Sequence, residues 1–216
     1  GSALPPIFLE VSMPTELPIS QNKIPSFGLI ALALTISTYA FSQTGFYSAT
    51  ASTLGTVLLL GGGMQIMAGI RSRQYGSTSA TATMLPLGMF WLSLIAFEVF
   101  PQLGFGKTPG AVTMVAYLSM WGLFAAILFL RCFQQSRALQ LVFSALMFCL
   151  IFLAMGKLRN NPIFLVVGGI SGIICGLAAG YTGLAQLFNQ WMGRSIFPIG
   201  HWQGHLDPDH KEQFTP

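Results

Sequence analysis

Glu98 is the one acid inside an apolar run of this sequence, and Gln65 is the mid-run amide with the fewest ways to satisfy itself. An ionisable group in such a run is a functional candidate, because an unpaired charge in hydrocarbon is expensive. Glu98 lies just before Pro101 at the end of its run. Three roles stand open for it: reaching headgroups or water, taking up a proton, or meeting a partner such as Lys107. Gln65 follows Gly61-Gly62-Gly63, and its amide needs several hydrogen-bond partners. It either lines a path for a permeant or bonds across to another helix. The remaining mid-run polar residues, Thr35 and Ser93 among them, are hydroxyls that commonly bond back to their own helix. Nucleophilic catalysis needs a nucleophile beside a base, and a metal site needs clustered ligands. The apolar runs offer neither. His201 and His205 have helical spacing, but Pro198, Gly200 and Gly204 argue against a helix that would present them to a metal. Cys132, Cys149 and Cys175 have no metal-binding spacing, and the latter two read as small apolar packers. No metal and no cofactor are called for.

The elements that position these residues are six apolar runs, at 26–44, 49–70, 80–100, 111–131, 138–156 and 163–190. A hydrocarbon core of roughly 30 Å takes about 20 apolar residues as helix, with every backbone polar group satisfied within the segment. The fold class is therefore all-α: a polytopic membrane protein of six transmembrane helices. Links of a few residues between runs predict sequential, antiparallel packing. Residues 1–25 hold five prolines and read as a non-helical tail, with Gly1-Ser2 a remnant of an expression tag. Residues 26–190 form the bundle, and 191–216 a polar C-terminal tail. Glutamates and prolines stand where a cleavable signal would need an apolar stretch.

The net charge of +4 reads as membrane topology rather than nucleic-acid binding. With the N-terminus inside, the cytoplasmic segments carry Lys23, Arg71, Arg73, Arg131, Arg137, Arg194 and Lys211, while the other side carries Lys107, Lys157 and Arg159. Basic residues concentrate on the cytoplasmic side, which places both termini there. Glycine supplies the second pattern. Gly168, Gly172, Gly176 and Gly180 recur every four residues in the last run, and Gly55, Gly62 and Gly69 every seven in the second. Such stripes admit another helix backbone at close range, either within the bundle or in a neighbouring subunit.

The closing segment Gly172-Ile173-Ile174-Cys175-Gly176-Leu177-Ala178-Ala179-Gly180-Tyr181, with Asn189 and Gly193-Arg194-Ser195-Ile196-Phe197-Pro198-Ile199-Gly200, resembles the acetate uptake transporter family, also called the succinate–acetate permeases. Gly62, Gln65 and Ala68-Gly69, Gly88-Met89-Phe90-Trp91-Leu92, Tyr117-Leu118, Trp121-Gly122 and Arg137-Ala138-Leu139-Gln140 follow in the same order. The resemblance implies a homohexamer, each protomer enclosing its own path for acetate or a related small carboxylate. It sets the family's hydrophobic constriction on Leu32, Leu87 and Leu146. The family pattern has Phe and Tyr at the first two positions, so this chain lacks the tyrosine hydroxyl.

The leading expectation is thus a channel or permease for a small monocarboxylate, with Leu32, Thr35, Gln65, Leu87 and Leu146 along the path. The alternatives are a pore for ammonia, an amide or water, and a non-transporting membrane subunit or sensor. An enzyme ranks last, for want of a catalytic constellation. Membrane lipid, the permeant and further copies of the chain are the expected partners.

Overall fold

A computed structural model describes residues 24–134, 136–193 and 196–198. Among them are six long helices, each long and apolar enough to cross a bilayer. They are α1 (Ser26–Gln43), α2 (Ala51–Gln74), α3 (Thr78–Leu94), α4 (Ala111–Arg131), α5 (Arg137–Arg159) and α6 (Pro162–Met192). The expectations for the two tails, for Lys23, Arg194 and Lys211, and for His201 and His205 lie outside the described residues.

Local chemistry sets the ends. The side chains of Thr50, Ser77, Ser136 and Asn161 each accept a hydrogen bond from a backbone N–H in the first turn of α2, α3, α5 and α6, satisfying donors that a helix start leaves bare. Pro162 opens α6, where its missing N–H costs nothing. Two departures from the expected boundaries bear on function. First, α3 passes into a π-helical turn at Ile95–Val99 around Glu98. Second, α5 runs on past residue 156 to include Lys157 and Arg159, because Asn160 takes the left-handed conformation (φ 47°) that ends it.

The helices pack in the order α3–α2–α1–α6–α5–α4. Sequential neighbours pack closely, as the short links predict, with one exception. The backbones of α3 and α4 stay apart, and large side chains bridge them. Phe90 stacks on Tyr117 with ring centroids 5.8 Å apart and lies 5.2 Å from Trp121. The Tyr117 hydroxyl is 2.7 Å from Ser93 Oγ and donates to the Phe90 carbonyl at 2.9 Å. Contact between α1 and α6 brings the first and last helices together at the centre of that order. Outward faces carry bare Leu60, Leu123, Leu130 and Leu177, as suits helices solvated by lipid.

Glycine makes the close contacts. Gly172, Gly176 and Gly180 of α6 lie against Ala40, Ser37 and Ala33 of α1, and Gly168 lies against Leu153 of α5. Gly62 and Gly69 of α2 meet Gly88 and Leu85 of α3, and Gly55 meets Val99. Both stripes therefore face helices of the same chain. At the closest approach to backbone a Cβ on Gly88 would stand 2.6 Å from the Gly62 carbonyl oxygen and 2.9 Å from the Ile66 nitrogen, whereas one on Gly63 would meet nothing within 4 Å. Gly88→Ala should therefore cost about 1–3 kcal/mol through overpacking, while Gly63→Ala should be neutral or slightly stabilising. Thermal unfolding of the two variants in detergent checks this; equal melting temperatures would contradict the packing.

Candidate functional site

Contacts on either side of each helix define which residues face the bundle axis. On α2, Gly61 and Ala68 touch Thr35 and Gly28 of α1, while Gly62 and Gly69 touch α3. Gln65 lies between these two sets, and at 3.6 residues per turn its side chain points between α1 and α3, into the interior. The same construction turns Leu32, Ile36 and Tyr39 of α1 inward, since Ala33, Ser37 and Ala40 meet α6. It turns Leu87 and Trp91 of α3 inward, between Leu85 and Gly88 on the α2 side and Phe90 and Ser93 on the α4 side. Leu146 of α5 lies between Cys149, which meets α6, and Leu150 and Ile151, which meet α4.

The same contacts fix depth. Gly28 beside Ala68 and Thr35 beside Gly61 bring Leu32 level with Gln65, and Gly62 beside Gly88 with Gly69 beside Leu85 brings Leu87 to that level too. Gly172 touches both Ala40 and Cys149, which sets Leu146 about one helical turn further along, near Thr35. The three leucines thus form a staggered layer rather than a flat ring. Leu32 and Leu146 are 0% exposed and Leu87 is 2%, so no water-wide opening reaches them. The layer is closed and dry. Thr35 spends its hydroxyl on the Ala31 carbonyl at 2.6 Å.

Gln65 is anomalous in this setting. It is fully buried, yet neither Nε2 nor Oε1 has a hydrogen-bond partner among the described residues. A buried amide in that condition costs about 1–3 kcal/mol. The bond to another helix that the sequence left open is not made. Beyond the leucines lie two more interior polar atoms without partners among the described residues, the Tyr39 hydroxyl and the Trp91 indole nitrogen, on rings 6.0 Å apart in edge-on contact. Further out, Glu98 Oε1 stands 3.6 Å from Lys157 Nζ. The partner of Glu98 is therefore Lys157, and not Lys107. No group of metal-ligating residues occurs among the described residues. Burial pushes the Cys132 thiol, in the turn after α4, up to about 11 despite Arg131 beside it, so it holds little nucleophilic thiolate at neutral pH.

The GPR1/FUN34/yaaH family matches residues 12–201. The chain belongs to that family. It is 31% identical to the succinate-acetate/proton symporter SatP of Escherichia coli K12 over 80% of this chain and 92% of that protein. It is 25% identical to acetate permease A of Emericella nidulans, over 81% of this chain and 64% of that protein. A solved structure of the bacterial acetate channel SatP superposes with a TM-score of 0.77 at 30% identity, covering 81% of this chain and 97% of that one. Membership, six membrane-spanning helices and transporter relatives make this an integral, multi-pass membrane protein.

Within this GPR1/FUN34/yaaH protein, the sequence singles out Gln65 but gives Tyr39, Trp91 and Lys157 no prominence. A signal for Lys157 is present nonetheless: it follows Leu146 by eleven residues. An α5 that ended at 156 would hide that spacing. If Gln65 has no partner in the resting protein, Gln65→Leu, of similar volume, should raise the melting temperature in detergent. A fall would mean that the amide is bonded after all.

Proposed function

We propose that this protein is a membrane channel or permease for acetate or a related small monocarboxylate, which crosses the dry layer as the neutral acid. The observation that carries this reading is the unpartnered Gln65 amide level with Leu32 and Leu87. Relatives named for acetate transport support the same class of permeant.

A carboxylic acid with pKa about 4 is an anion near neutral pH, and a dry apolar layer opposes a bare charge strongly. Gln65 presents an N–H donor and a C=O acceptor side by side. An undissociated acid offers the complement, a C=O to accept and an O–H to donate, so both amide groups are satisfied at once. A carboxylate anion would satisfy the donor alone and set negative charge against the amide oxygen. Passage as the acid moves one proton with each molecule. Glu98, the one carboxylate among the described residues, is the group at the mouth able to hand that proton on. A dicarboxylate would need two protons to cross the same layer uncharged. With leucine in place of the family's tyrosine, Gln65 is the donor at this level, and Leu146 with Thr35 forms the next step of the path. This is transport without a catalytic step or a cofactor.

Two further assignments belong to this reading. The charge distribution supports both termini in the cytoplasm, which sets Glu98 and Lys157 at the outer mouth. The family resemblance supports a homohexamer in which each protomer keeps its own path. One specific alternative rests on the same amide, because a primary amide such as acetamide complements Gln65 equally well.

Labelled acetate uptake into liposomes holding the purified protein should exceed that of empty liposomes and saturate. Strong competition by acetamide, with weak competition by unlabelled acetate, would favour the amide pore. In the same assay Leu146→Ala should raise flux or admit longer acids such as butyrate. Flux and selectivity both at wild-type levels would place the constriction elsewhere.

A further inference from the structure

Glu98 and Lys157 join the end of α3 to the end of α5. Leu146 to Lys157 is a step of eleven residues along α5, about three turns that return to the same helix face, and Glu98, on the π-helical turn that follows α3, meets Lys157 there at 3.6 Å. Leu146 faces the axis, so Lys157 stands on the inner face beyond it and draws Glu98 there. α3 and α5 are not neighbours in the bundle. Their ion pair therefore crosses the end of the interior instead of joining two packed helices. Any solute moving along the axis towards the leucines passes it.

The pair is also loosely made. Its 3.6 Å separation is longer than a charge-assisted hydrogen bond of about 2.7–2.9 Å, and Glu98 Oε1 has no hydrogen-bond partner among the described residues. The Lys157 side chain is 31% exposed and that of Glu98 15%, so water reaches both. About one turn inward lies the Tyr39 hydroxyl, fully buried and without a partner among the described residues. The backbone that carries Glu98 is the π-helical turn of α3, a distortion that recurs at functional sites. A partly exposed ammonium thus stands at the mouth, with a free phenol hydroxyl deeper on the same side of the leucines, and the single carboxylate that meets the ammonium is held at a long distance.

We propose that Lys157, with the Tyr39 hydroxyl behind it, is the capture site for a small carboxylate anion at the mouth, and that Glu98 is the built-in anion which the incoming carboxylate displaces. The proposal rests on the channel reading and extends it by naming where the anion is first held, before it takes up the proton with which it crosses. Exchange of one carboxylate for another on a fixed cation keeps Lys157 paired throughout, and so avoids leaving a partly buried ammonium bare.

The test is the half-saturation concentration for labelled acetate in liposomes holding wild type, Lys157→Gln, Glu98→Gln or the double variant. Capture at Lys157 predicts opposite signs for the single changes. Lys157→Gln should raise half-saturation by about three- to tenfold, a partly exposed charge being worth on the order of one such step. Glu98→Gln removes the competing anion and should lower it. The double variant replaces the ion pair with two amides that can bond each other, which guards against a folding defect, and it should behave as Lys157→Gln does. Half-saturation that shifts in the same direction for both single variants would make the bridge merely structural and overturn the proposal. So would no shift in either. Wild-type uptake no greater than that of empty liposomes would instead overturn the channel reading beneath it.

Discussion

Because hydrocarbon offers a backbone amide nothing to bond with, every segment that crosses the membrane in this protein is helical along its length, and helices so made must be held together by contact rather than by water exclusion. That constraint explains the placement of glycine. Gly88 sets its backbone against the Gly62 carbonyl, and Gly183 lies against the carbonyl of Ser26. Neither approach leaves room for a side chain. Where α3 and α4 stand apart, aromatic rings and the Tyr117 hydroxyl fill the distance. The interior is thereby enclosed on all sides by helix.

What the enclosure contains follows from the same scarcity of partners. Thr35 returns its hydroxyl to its own helix and becomes effectively apolar. Gln65 has no such recourse, and it remains a buried donor and acceptor between leucines. A protein selected for stability alone would place another leucine there. The unmet amide is best understood as a group whose partner is the solute in transit, and the closed leucine layer as the reason that solute must arrive uncharged. The charged groups stand three turns away, at the mouth, where water can still reach them.

Much of this was legible in the sequence, though unevenly. The six helices could be read from apolar run length, since membrane thickness fixes the length, but the end of α5 could not. Glycine spacing showed that backbones would approach closely. It did not show which backbones, because a stripe of small residues serves an intramolecular or an intermolecular contact equally. Gln65 stood out because few side chains in a membrane helix are so hard to satisfy. The partner of Glu98 was missed, and Lys107 suggested in its place, because Lys157 falls past the apolar run. Only the left-handed turn at Asn160 shows that α5 carries Lys157 onto the inner face. The gap between α3 and α4 depends on the size of interlocking rings, which no local pattern encodes.

Charge movement tests most directly whether the permeant passes the leucine layer as a neutral acid. Labelled acetate uptake, net of empty liposomes, would be measured under an imposed membrane potential at equal pH, and then under an inward proton gradient at zero potential. Passage as the acid predicts that the proton gradient drives accumulation, while a potential of either sign leaves the rate unchanged. Uptake that rises with an inside-positive potential and ignores the proton gradient would mean that the bare anion crosses, and would contradict the roles assigned to Gln65 and the dry layer.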